Sequence, residues 1–441
     1  MPPYRDGQVS AGARIVARSR RIPDVSFRSF LAGRTSPRVH WVAPDGLEIA
    51  ACGAAARLTA DGPDRFEAVR DEGAELFDAL DAPDDAPAAT RPRLFGGFAF
   101  HADHDPVSPW DGFPGAEFVL PRVQLTRTDS DTWLTVAVED ADEADALLAE
   151  TRSDLADLPT MRPAGSPPGV ETTRHTTSRE EWCAQVRRAT DRIDRGELRK
   201  VVLATALEVS LSEPVSVPDV LERLRASYPD CYRFLLEPSD GGGFFGAPPE
   251  RLVSLSGRTV QTEALAGTVG RGETPEEDDE LAAELLDSEK VREEHALVAE
   301  TIRDRLAPLA ESVTVGSRGL RRLSTIQHLQ TPISATLSAD GHVLDVVEAL
   351  HPTPAVGGLP PDAAMRTIRE TEAFDRGWYA SPVGWFDADG DGEFAVAIRA
   401  GVAAGDRATL FAGNGIVADS DPDDEWEEVQ LKYLPILDEL E

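Results

Sequence analysis

Lysine is nearly missing from this chain. Lys200, Lys290 and Lys432 are the three lysines among 441 residues, against 41 arginines, although lysine is ordinarily among the commonest residues. So sparing a use makes each surviving lysine a position to inspect. Cysteine is equally scarce: Cys52, Cys183 and Cys231 are odd in number, far apart and without CxxC spacing. That excludes a disulfide framework and a thiolate zinc site, and leaves three buried small hydrophobes as the reading. Long apolar runs are absent too. No stretch reaches the 18 or so consecutive apolar residues of a membrane helix, so a soluble chain is expected. The opening MPPYRDGQVSAGARIVARSRR lacks the apolar centre and small-residue cleavage site of a secretory signal, so the expected location is cytoplasmic.

Positive charge is also in deficit. The sequence holds 79 acidic and 44 basic residues, a formal charge of −35, which repels nucleic acid and anionic membrane surfaces. Neither is expected as a partner. The acids are spread among normal hydrophobic periodicity and read as a solvated surface, for which a halophilic cytoplasm is the simplest explanation.

What is present divides near residues 159–178, where PTMRPAGSPPGVETTRHTTS is rich in chain breakers. We expect a β-rich N-terminal region over 1–165, intertwined with the core, and a catalytic region over 170–441. In the first region short apolar runs such as FGGFAF, FVLPRVQL and TWLTVAVED alternate with turns, and a helix follows near 140–158. In the second, Ser178 and Glu181 form a capping box for a helix ending at Gly196. KVVLATALEV at 200–209 then reads as a buried strand that opens on Lys200. A helix starting at Thr274, Pro275 and Glu277, with Glu277 completing a capping box, continues through KVREEHALVAETIRDRL. Val291, Val298 and Ile302 mark its inward face, which also carries Glu294. A last helix from Asp421 and Pro422 has Trp426, Val429 and Tyr433 as its apolar stripe, with Glu425, Glu428 and Lys432 on the adjoining one.

Several residues could carry chemistry, and each has a plainer reading. Lys200 could be a solvated strand-end charge. Glu250, behind two prolines in GAPPERLV, is either presented by a rigid loop or exposed on a turn. Glu294, Glu425 and Glu428 could be structural, yet together they would make the hard oxygen site that magnesium prefers. Arg399, in the alternating strand EFAVAIRAG, would suit a planar carboxylate. Gly413 and Gly415 in FAGNGIV either bring backbone N–H groups to an anion or form a hairpin turn. DADGDGE at 387–393 imitates the start of a calcium loop, but Ile398 stands where the bidentate glutamate is required, so a surface hairpin turn is expected.

Taken in order, KVVLA, PPERLV, EALAGT, EEHALV, RGWYASPVGW, AIRAG, AGNGI and DEWEEVQLK resemble the chorismate-utilising enzymes, which include isochorismate, salicylate and anthranilate synthases. The similarity is strong over about 175–435 and looser before it. The resemblance implies an α+β fold of large antiparallel sheets with peripheral helices, like anthranilate synthase component I. It implies Lys200 as the base that activates water and Glu250 as the general acid. Gly267, Thr268, Ala355, Tyr379, Arg399, Gly413 and Lys432 would bind substrate, and Glu294, Glu428 and Glu425 would hold Mg²⁺. His328, in IQHLQT, is a pocket residue of undefined role, with a packed, hydrogen-bonded histidine as the plain alternative.

The segment HPTPAVGGLPPDAAM narrows the chemistry. Ala355 stands where anthranilate-type and salicylate-type members carry threonine, and Pro361 where aminodeoxychorismate synthases carry a nucleophilic lysine. This resembles the isochorismate synthases, isomerases that use water and need no glutamine amidotransferase subunit; Ser381 departs from the usual glycine. The expectation is a monomeric magnesium-dependent isochorismate synthase serving menaquinone biosynthesis. The alternatives are a salicylate synthase, an anthranilate synthase component, or an acidic binding protein without turnover.

Overall fold

A computed structural model describes residues 14–82, 87–159, 164–238, 242–322 and 326–441, with the side chains of 268, 290 and 326 outside the description. Among the described residues 21 strands join in one hydrogen-bonded network. All pairings are antiparallel except a short parallel contact of Ile15 and Val16 with Leu80 and Asp81. Helices pack around this β core, as the α+β expectation requires.

The long strand Glu48–Ala60 shows why the sheet is sandwiched. Successive side chains point to opposite faces, and both faces are buried. Ile49 and Ala51 join the main apolar core with Trp41, Phe95 and Phe118, whereas Ala50 and Cys52 join a second cluster with Phe30, Leu134 and Leu148. The three cysteines are free and buried.

Strands from early and late sequence interleave. Arg38–Val42 pairs with Arg233–Glu237, and Arg93–Phe98 pairs with Pro382–Asp387. Trp110, from the early WDGFP segment, stacks on Phe411 at 5.1 Å between centroids. It lies where a Cβ on Gly377 would sit 2.2 Å away, so that residue, at φ +51°, has to be glycine.

Two helices match their caps closely. Arg179–Asp194 carries the Ser178–Glu181 box, and the C-terminal helix Pro422–Leu437 starts behind Asp421. Three local expectations need correction. Val170–His175, inside the breaker-rich stretch, is a strand paired with the lysine-led strand Lys200–Leu211. The helix from Thr274 is two helices, Pro275–Asp287 and Glu289–Leu306, because Ser288 adopts an extended conformation and its hydroxyl accepts from Val291 N–H at 3.3 Å. Thr274 caps the first, but the Glu277 carboxylate accepts from Glu273 N–H, one residue before the cap. The 387–393 turn does join two strands, Pro382–Asp387 and Gly392–Val396.

Candidate active site

Lys200 opens its strand between two neighbours: Leu359 pairs with it on one side, and Ile416 pairs with Val201 on the other. The residue is only 8% exposed. It runs across Gly415, where a Cβ would stand 2.7 Å from Lys200 Cε. Of the two readings of 411–417 the hairpin turn is excluded: Gly413 and Gly415 lie within the strand Arg407–Ile416, and Gly415 makes room for a lysine. A buried ammonium needs a partner, and Lys200 Nζ donates to Glu294 Oε1 at 2.7 Å. Lys200, Arg199, Glu294, Leu359, Val417 and Asp419 line a cavity of about 340 Å³.

Glu250 follows Pro248 and Pro249 and is 6% exposed. Burial, reinforced by the negative charge of Glu263, pushes its carboxyl up to about 8 against the opposing pull of Lys200 and Arg321. It therefore holds its proton at neutral pH, as a general acid must.

On the other side, Gly267 at φ +76° forms a bulge in the strand Thr259–Gly270, just before Thr268 pairs with His328. A Cβ there would come 2.2 Å from Val291 Cγ1 of the glutamate-bearing helix, so glycine permits the close approach. The Thr268 side chain lies outside the described residues. His328 is hydrogen-bonded to the Gly267 backbone, and burial with the charges of Arg399, Lys432 and Arg321 pushes it down to about 3. It is a neutral imidazole. Arg399 adopts φ +49°, a left-handed conformation that costs a non-glycine residue energy. Its Nη1 lies 3.9 Å from Cys231 Sγ, and among the described residues no carboxylate pairs with it. A largely buried guanidinium in that condition suits an incoming anion.

The C-terminal helix supplies a polar chain. Lys432 Nζ donates to Gly413 O at 2.9 Å and Asn414 Oδ1 at 2.6 Å, and pairs with Glu428 Oε1 at 2.8 Å. These three contacts match the donors of one ammonium. Glu425 accepts from Ser420 Oγ at 2.6 Å and Asn414 Nδ2 at 2.9 Å. Burial, with Glu428 nearby, raises its carboxyl. Tyr379 is buried and stacks on Phe411 at 5.3 Å, while Ala355 sits half-buried in the turn closed by Gly357 N–H and Thr353 O.

The predicted residues thus meet in groups rather than as one cluster. Among the described residues no three ligand side chains converge to hold a metal ion. Glu294 and Glu428 each hold a lysine instead, and Glu425 holds Asn414 and Ser420. The candidate donors are nevertheless all carboxylate oxygens, the type that a hard divalent cation such as magnesium prefers, and Glu294 lines the cavity. Sequence reasoning missed Asn414, a buried polar residue in a strand, and the buried pair of Arg376 and Glu372. Arg376 donates to Val202 O and Val356 O, and Glu372 accepts from Ala204 N–H, which ties the lysine strand to the HPTPA turn. It also missed Glu263 and Arg321. A charged residue at an inward strand position was the available signal.

Known proteins resemble this chain over most of its length. The chorismate binding enzyme model matches residues 7–441. A salicylate biosynthesis isochorismate synthase of Pseudomonas aeruginosa is 38% identical over 418 residues, covering 92% of this chain and 85% of that protein. Isochorismate synthase MenF of Bacillus subtilis is 37% identical over 356 residues, covering 80% and 75%. The structure of MenF, the menaquinone-specific isochorismate synthase from Escherichia coli, superposes with a TM-score of 0.83 at 27% identity, covering 99% of this chain and 97% of that one. With one model spanning both the early strands and the late carboxylates, the chain belongs to the chorismate binding enzyme family.

Proposed function

We propose that this chain is an isochorismate synthase, an isomerase that moves a hydroxyl on chorismate from C4 to C2. The observation that carries the chemistry is a buried acid kept protonated to about pH 8, Glu250, within electrostatic reach of a buried lysine. Lys200 takes a proton from water, whose oxygen forms the bond at C2. The ring double bonds shift, the C4–O bond breaks, and Glu250 protonates the departing hydroxyl, so one water enters and one leaves. Before it can accept a proton, the Lys200 ammonium has to lose its own proton to solvent and release Glu294, so that a neutral amine faces the water. Magnesium, which Glu294, Glu428 and Glu425 would hold, supplies neutralisation of the ring carboxylate when bound. Arg399, with no carboxylate of its own among the described residues, holds the second carboxylate, and Lys432 joins it by exchanging one of its present acceptors. Neutral His328 beside Gly267 lines the pocket without adding charge. Gly267, Thr268, Ala355, Tyr379 and Gly413 shape the substrate's surroundings.

The test is the pure protein with chorismate and magnesium in high salt, its products followed by NMR. Isochorismate of unchanged mass is expected; pyruvate, or no product, overturns the proposal. The reading extends to isochorismate supply for menaquinone, checked by menaquinone content after gene deletion. Because water is the nucleophile, no amidotransferase subunit is required, and a monomer is expected by light scattering. No helix among the described residues is long and apolar enough to cross a membrane, which accords with the cytoplasmic location we propose. Residues 1–165 and 170–441 would work as one intertwined unit. The charge of −35 suits a salty cytoplasm, so the melting temperature should rise with KCl.

A further inference from the structure

Glu263 has a role that the proposed reaction leaves unassigned. It lies on the strand Thr259–Gly270, with a side chain 11% exposed, between the buried neighbours Thr262 and Ala264. Its Oε1 accepts from Arg321 Nη1 at 2.8 Å and from the Arg251 backbone N–H at 3.3 Å, and its Oε2 accepts from Gln330 Nε2. Donors from three other segments thus fix one carboxylate. Stability alone is a poor explanation, because a buried ion pair is often no better than an apolar pair of the same volume.

Its neighbours suggest a better one. Arg251 directly follows Glu250, and its side chain is anchored separately: Nε donates to Tyr232 Oη at 2.8 Å, and Tyr232 Oη donates to Glu393 Oε1 at 2.7 Å. The corner carrying Glu250 is therefore held from two sides, by Glu263 on its backbone and by Tyr232 and Glu393 behind it.

We propose that Glu263 is a positioning residue for the general acid: it holds the Glu250–Arg251 corner in place and keeps a fixed negative charge beside Glu250. Two effects run in the same direction. The charge of Glu263 opposes ionisation of Glu250 directly, and by pairing with Arg321 it cancels a cation that would favour ionisation. The charged groups facing Glu250 are Glu263, Lys200 from the strand Lys200–Leu211 and Arg321 from Gly319–Arg322. Glu263 is the one among them that helps the acid keep its proton.

The inference rests on Glu250 being the acid, so the experiment reads Glu250 and turnover separately. Full-length protein labelled with ¹³C at glutamate carboxyls is titrated by NMR, with Glu250 assigned by the signal lost in Glu250→Gln. In Glu263→Gln the Glu250 midpoint should fall by about 1–2 pH units, while Glu263→Asp, which keeps the charge, should leave it raised. Arg321→Gln should move it upward, opposite to what general loosening of the site would do. An unchanged midpoint in folded Glu263→Gln, or a downward shift in Arg321→Gln, overturns the proposal; the arginine variant also decides the matter if Glu263→Gln does not fold. The falling alkaline limb of kcat should follow the NMR midpoint. A midpoint that moves while the limb stays put would leave Glu263 its role and remove Glu250 from the chemistry.

Discussion

Two lysine–glutamate pairs of nearly the same length differ in almost everything else. Lys200 and Glu294 meet at 2.7 Å from elements 94 residues apart, with side chains 10% and 25% exposed. Lys432 and Glu428 meet at 2.8 Å one turn apart on one helix, 36% and 50% exposed. The first pair excludes most water, so each partner is costly to leave alone. The second is screened, and such pairs contribute ~0–1 kcal/mol. The same two residue types therefore form a buried, firmly held pair in one place and a screened helix-surface contact in the other.

Substitutions can break or sharpen this contrast. The largest effect is expected from Lys200→Ala, whose kcat should fall by about 10²–10⁴-fold, the usual contribution of general acid–base catalysis. Full activity, or an unchanged pH–rate profile, would remove the lysine from its role. Next is Glu294→Gln, which leaves the Lys200 ammonium with a neutral partner. Without metal or substrate it should lose about 1–3 kcal/mol in urea unfolding, discounted from a fully buried pair because Glu294 is a quarter exposed.

Glu250→Gln should act on stability in the opposite direction. Its carboxyl is raised to about 8, so between the ordinary carboxylate range and pH 8 the unfolded chain gives up a proton that the folded chain keeps. Native stability therefore declines as pH rises through that window. The glutamine, which cannot ionise, should raise the melting temperature by about 2–4 °C at pH 8 and change it little at pH 4. A gain equal at both pH values would show that ionisation of Glu250 is not the cause. The smallest effect belongs to Glu428→Gln, expected to cost at most about 0.5 kcal/mol in the same unfolding assay. A loss matching that of Glu294→Gln would erase the distinction between the two pairs.

The parts of the fold legible in the sequence were those with local causes. The box of Ser178 and Glu181 and the aspartate cap at Asp421 act within four residues, and both helices start where they should. Ser288 shows the limit. The apolar pattern runs through it, and only the extended backbone that turns the second helix toward Gly267 interrupts the first. Val170–His175 was hidden for a similar reason: its residues are mostly exposed, so no alternation announced a strand whose pairing comes from Lys200–Leu211.

At the site, sequence by itself determined the chemical inventory: scarce lysines, inward glutamates and an arginine among small residues, matched in order to one family. Tertiary structure decided the partners. It set Lys200 against Glu294 and over Gly415, left Arg399 without a carboxylate among the described residues, and brought Glu263 to the backbone beside Glu250. Residue type and spacing fix which groups can titrate or bind. Burial and the approach of a charge from another strand depend on contacts between segments far apart in the chain, and those set which group holds its proton.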